Sequence, residues 1–173
     1  MKIVYVLAFL LLPSSLVGAE YLEQVETDVY QTTGTVKEIF TKAKSCLAQI
    51  VRNEGVRMAD SAVGEGIQGG DIFVEANAET GIITANSRVD YKAKMLEYNV
   101  KSTLVFMAKE GRFKMRHSNI EYLQKYTGSV NNTGYSRVGK WFGTGWKDTQ
   151  KALLGASEKV AQCVMVEPKK EEW

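Results

Sequence analysis

The chain has 173 residues, 45% of them hydrophobic, with only two prolines and a net charge of +2 at neutral pH. That apolar fraction excludes a disordered or low-complexity secreted polymer. The near-neutral balance gives no electrostatic case for nucleic acid, which needs a clear basic excess.

At the start, Lys2 precedes an unbroken apolar run from Ile3 to Leu12, followed by Pro13 and the small residues Val17-Gly18-Ala19. A charged start, a short apolar core and a small-x-small site are the layout of a secretory signal peptide, here with cleavage after Ala19. A transmembrane anchor needs roughly 20 apolar residues, and Pro13 cuts the run at about half that. No cysteine stands at the cleavage point, which argues against a lipoprotein anchor. The expected organisation is a signal peptide at 1–19, one domain at 20–166 and a charged tail at 167–173, exported to the periplasm or beyond. Cleavage leaves 173 − 19 = 154 residues with a net charge of +1. A domain of that size buries about 70% of its unfolded surface.

Residues 20–33 read as an extended lead-in, with Val25, Thr27, Val29 and Gln31 alternating as in one short strand. Thr35-Val36-Lys37-Glu38 then forms a capping box, and Val36, Ile39, Phe40, Ala43, Leu47, Ile50 and Val51 line one face of a helix ending near Gly55. Residues 55–70 are a glycine-rich connection. Gly64-Glu65-Gly66-Ile67-Gln68-Gly69 matches the dinucleotide fingerprint literally. A strand follows it where the mechanism requires a helix N-terminus, so no nucleotide site is expected.

Four strands come next: Ile72 to Ala76, Ile82 to Val89, Met95 to Ala108 and Arg112 to Tyr122. Turns at Ala78-Glu79-Thr80-Gly81 and Glu110-Gly111 place glycine where a positive φ is needed. Pairing Lys109 with Arg112 sets Ala108 opposite Phe113, Phe106 opposite Met115 and Leu104 opposite His117, all on one face. Lys101, Thr103, Lys114 and Arg116 occupy the other. The segment 127–148 is irregular, with five glycines and the rings of Tyr135, Trp141, Phe142 and Trp146. A closing helix runs from about Asp148 to Val166 on a stripe of Ala152, Leu153, Ala156, Val160, Ala161 and Val164, with Cys163 on the same side. The expected fold is α+β, in the order β-α-β-β-β-β-α: an antiparallel sheet of four to five strands with both helices on one face.

The two cysteines, Cys46 and Cys163, sit on these helices. Export allows a disulfide between them, closing a loop of over a hundred residues. The alternative is two buried free thiols acting as small hydrophobes.

Glu79-Thr80-Gly81-Ile82-Ile83, Tyr98 through Leu104, and above all the block Lys109-Glu110-Gly111-Arg112-Phe113-Lys114-Met115-Arg116-His117-Ser118-Asn119-Ile120 resemble the domain of unknown function 4468 family. The resemblance spans roughly residues 22–124. It implies a TBP-like fold in bacterial exported proteins and supplies no catalytic residues. A TBP-like fold does not by itself imply DNA binding.

His117 is the only histidine, so any histidine mechanism passes through it; its neighbour Ser118 faces the opposite side of the sheet. No His/Cys spacing suits a metal, and no cofactor is expected. Asp71 and Glu75 share a strand face, with Asp90 and Glu97 further on, which suits a solvated face better than a catalytic pair. The most suggestive stretch is 139–147, where Lys140, Trp141, Phe142, Trp146 and Lys147 lie among glycines. Such rings serve either as a recognition surface for an envelope protein, lipid or sugar polymer, or as a plug over the end of the core. Basic residues on the outer sheet face, Lys101, Arg112, Lys114 and Arg116, read as solvation. Asn131-Asn132-Thr133 fits a glycosylation sequon, relevant only in a eukaryotic secretory route. The functional expectation is a non-enzymatic, exported binding or interaction module of the cell envelope, using the 139–147 loop and the exposed sheet face. A small carrier of an apolar ligand held near Phe106, Met115 and Leu153 is the first alternative, and an unrecognised hydrolase using His117 is the second.

Overall fold

Alternation of apolar and polar residues through the middle of the chain produces three long antiparallel strands. The computed structural model describes residues 20–53, 72–125 and 134–166. The expected signal peptide, the fingerprint-like glycines, the sequon and the charged tail lie outside the described residues. The elements are β1 (Gln24–Glu26), β2 (Tyr30–Gln31), α1 (Val36–Asn53), β3 (Phe73–Asn77), β4 (Ile82–Ala93), β5 (Leu96–Lys109), β6 (Arg112–Gln124), β7 (Ser136–Arg137) and α2 (Trp146–Met165). They form one seven-stranded sheet in the order β1-β6-β5-β4-β3, with β2 and β7 also pairing with β6.

The α+β class and the two helices are as expected, while the strand count is higher than the expected four to five. One extra strand arises because the lead-in is split. Thr27 accepts the Met115 amide on its side-chain Oγ1 (3.0 Å) and donates its own amide to the Met115 carbonyl (3.0 Å), which interrupts the ladder between β1 and β2. The other, β7, pairs Arg137 with Glu121 and Ser136 with Tyr122. The β5–β6 register is the expected one, with Phe106 opposite Met115 and Leu104 opposite His117.

Two features escape simple alternation. Between Lys101 and Thr103 the register shifts opposite Asn119, whose φ is +52°. This bulge reverses the side-chain phase of β6, so Ile120 turns into the core in place of Asn119. The β4–β5 connection is a two-residue turn at Lys94 and Met95, with both φ values positive, so β4 extends to Ala93 and β5 starts at Leu96.

The capping box forms as expected: Thr35 donates its amide to the Glu38 carboxylate (2.8 Å) and Thr35 Oγ1 accepts the Glu38 amide (3.4 Å). Both backbone and side-chain bonds from Thr35 hold the Glu38 carboxyl below its usual range. Helix α2 begins two residues earlier than expected, because Gly145 in a left-handed conformation takes the N-cap position. Cys46 and Cys163 form a disulfide between the helices, with Cα atoms 5.9 Å apart.

Both helices pack on the same sheet face over two apolar clusters. One joins α1, the second half of α2 and Ile83, Phe106, Phe113 and Met115. The other joins Leu22, Val25, Val89, Val100, Ile120, Val138 and Leu153. Between them runs a buried polar seam of Ser87, Ser102, His117 and Ser157. Among the described residues, no helix is long and apolar enough to cross a membrane.

Candidate functional site

The segment from Gly134 to Trp146 is tied to the lead-in at its middle and runs into α2 at its end. Leu22 donates its amide to the Val138 carbonyl (2.8 Å), Tyr21 bridges Gly139, and Lys140 donates its amide to the Glu20 carbonyl (2.8 Å). Thr144 Oγ1 donates to the carbonyls of Gly139 (2.5 Å) and Trp141 (2.8 Å), closing the turn that carries Trp141 and Phe142. Gly139 has no side chain because the Trp141 indole occupies that space: a Cβ there would lie 2.2 Å from the ring.

The three expected aromatics separate into three environments. Trp146, the first residue of α2, packs against the second apolar cluster, with Lys140 and Lys147 ammonium groups 5.9 and 5.5 Å from its ring centre. Trp141 is 48% exposed and meets Tyr21 edge-on at 5.7 Å, while the Arg137 guanidinium lies 4.1 Å over the Tyr21 ring. Phe142 is fully exposed. The structure therefore brings one ring to the core and leaves two at the surface. Lys140 also pairs with the Glu20 carboxylate, and Lys147 is exposed.

On the outer sheet face three lysines are paired: Lys101 with Glu121 (2.7 Å), Lys114 with Glu26 (2.5 Å) and Lys125 with Asp90 (2.6 Å). The Lys114 bond lowers the Glu26 carboxyl pKa. Asp90 also accepts from Asn99 (2.6 Å), and Glu97 pairs with Lys92 (3.0 Å), so neither carboxylate faces the other as a catalytic pair would. Among the described residues, no group of three or more His, Cys, Asp or Glu side chains could hold a metal.

His117 acquires partners that its sequence neighbours do not supply. Nδ1 lies 2.9 Å from Ser102 Oγ on β5, and Nε2 lies 2.9 Å from Ser157 Oγ on α2. These are distances at which a histidine activates a serine. Yet His117 and Ser157 are each 1% exposed, and burial pushes the imidazole pKa down to about 4. The adjoining recess offers about 10 Å³, room for about one water molecule. The trio acts as a hydrogen-bonded clamp between sheet and helix, out of reach of a substrate. Ser157 was legible as a buried polar position, since it falls one helical turn from both Leu153 and Ala161; its partner was not. An open groove of about 500 Å³ lies at the opposite end of the sheet, against Thr35, Lys37, Glu79 and Glu110, with no aromatic side chain in its lining.

A seven-stranded antiparallel sheet with two helices on one face belongs to the TBP-like class. The family described as "Domain of unknown function (DUF4468) with TBP-like fold" matches residues 26–123, and the chain belongs to that family. A DUF4468 family protein from Bacteroides ovatus ATCC 8483 superimposes with a TM-score of 0.54 at 8% identity, over 85% of this chain and 88% of its own. A TBP-like protein from Parabacteroides distasonis ATCC 8503 gives 0.50 at 15% identity, over 80% and 92%. At these identities the likeness is one of fold. No curated protein is similar to the chain in sequence.

Proposed function

We propose that this chain is an exported, non-enzymatic binding module of the bacterial cell envelope, and that its working surface is the loop carrying Lys140, Trp141, Phe142, Trp146 and Lys147. The observation that carries the reading is a fully exposed Phe142 beside a half-exposed Trp141 on a loop tethered to the lead-in by backbone hydrogen bonds on one flank and running into α2 on the other. Large rings held rigidly at the surface lose little conformational entropy on binding, which suits them as anchors. Export is supported by the signal-peptide layout of residues 1–19 and by the Cys46–Cys163 disulfide, a bond that persists in oxidising compartments.

The outer sheet face, with its lysines already paired, is the weaker surface. The expected carrier needs an apolar cavity of about 300 Å³ or more between sheet and helices, which the open, charged groove at Glu79 and Glu110 is not. Phe106, Met115 and Leu153 are fully buried instead, and the recess at His117 is far smaller. The hydrolase alternative founders on the burial of His117 and Ser157.

The test is a photo-crosslinking residue placed at position 142 in the producing cells, with position 110 at the opposite end as control. The expected result is export of the chain and envelope-component adducts from position 142 alone. Retention in the cytoplasm, or no adducts from position 142, would overturn the proposal.

A further inference from the structure

Two apolar tips share one end of this molecule. Tyr91 and Tyr98 stack across β4 and β5 (5.3 Å between ring centres) just before the Lys94–Met95 turn, and the Tyr91 hydroxyl meets Thr149 Oγ1 (2.8 Å) in the first turn of α2. That turn of α2 follows directly on the loop bearing Trp141 and Phe142. The tip of the β4–β5 hairpin and the aromatic loop therefore lie at the same end of the sheet, and Met95 and Phe142 at their crests are both fully exposed.

The hairpin tip is built against local preference. A two-residue turn with φ positive at both positions ordinarily carries Asn-Gly or Gly-Gly; here Lys94 (+49°) and Met95 (+66°) occupy it. Non-glycine residues held in that conformation mark functional segments. Exposed lysines stand beside both crests, Lys94 at the hairpin and Lys147 after the loop. Long lysine stems can lie along an apolar phase while their ammonium groups reach headgroups.

The chain also enters at this end. Glu20 is bonded to Lys140 through both backbone and side chain, immediately beside Trp141.

We infer that the partner of the aromatic end is a lipid bilayer surface, with Met95 and Phe142 as paired shallow anchors and Trp141 at the interface. This deepens the binding-module reading and rests on it. Apolar burial supplies most of the attachment, and Lys94 and Lys147 add a preference for anionic lipid.

The test is vesicle flotation of the protein in the form its producing cells hold. The vesicles are phosphatidylglycerol mixed with phosphatidylethanolamine, and phosphatidylcholine alone. The wild type should float with both and more with the anionic mixture. M95S/F142S should weaken flotation at least about tenfold, the scale of losing buried large apolar side chains. V74S, which removes an exposed valine on β3 well away from the tips, should float as the wild type does. Melting curves report whether the variants fold, and K94Q/K147Q gives a second reading that leaves the apolar crests intact: it should lose the anionic preference. Equal flotation of wild type and M95S/F142S, or no flotation of the wild type, overturns the inference. If flotation fails while position 142 still crosslinks to an envelope protein, the lipid assignment falls and the binding module stands.

Discussion

The two ends of the sheet solve the same geometric problem in opposite ways. At one end, the chain reverses through Gly81 (φ +69°) and Gly111 (φ +70°), where glycine adopts the left-handed region without a steric penalty. Gly81 is also wedged so tightly that a Cβ would lie 2.6 Å from Val36 Cγ1. At the other end, Lys94 and Met95 adopt the same conformation with full side chains, and both apolar crests point to water. The first end is arranged for stability, and it adjoins the cluster that the disulfide staples. The second accepts strain to present side chains. Where a protein gives up stability locally, its working surface is the first place to look.

That contrast can be broken at its strongest point by opening the disulfide. Cross-linking over a sequence separation of 117 residues restricts the unfolded chain, so C46S/C163S should lose about 3 to 5 kcal/mol in denaturant titration. Equal stability of the two proteins would remove the staple from the account.

The buried seam between the ends should respond to acid. The His117 pKa falls from 6.5 to about 4 on folding, so the unfolded chain binds the extra proton throughout that window. Stability is therefore full above pH 6.5 and is lost as pH falls towards 4, by about 3 kcal/mol in total. Denaturation midpoints measured across that range should show the slope in the wild type, and H117Q should flatten it.

Next in size, G81A should cost about 2 to 3 kcal/mol, combining a strained φ with a clash against Val36 and the Ala108 carbonyl. The mirror experiment at the opposite end sharpens the comparison. M95G should raise stability by about 1 kcal/mol by relieving the left-handed strain, while weakening attachment to vesicles. A variant that is more stable and less adherent would separate the two roles in one substitution. Smallest of all, F142A should change stability by no more than about 0.5 kcal/mol, read by thermal melting, because the ring is fully exposed.

What the sequence determined by itself was whatever depends on near neighbours along the chain. The α1 start followed from Thr35 and Glu38 three residues apart, the strand faces from period-two alternation, and the β5–β6 register from a glycine turn between Lys109 and Arg112. The family and its fold followed from blocks within those same strands. The β4–β5 turn was not legible, because Lys94 and Met95 carry no turn chemistry; the pairing of two long strands overrides their preference. The bulge at Asn119 was hidden for a similar reason, since one residue in a left-handed conformation reverses the phase of everything after it. Only the tertiary structure decided the partners across distance: Cys46 with Cys163, and His117 with Ser102 and Ser157. It also decided which aromatic joins the core. Trp141, Phe142 and Trp146 are equivalent as letters among glycines, and only the placement of α2 against the sheet packs one ring against the core and leaves the others at the surface.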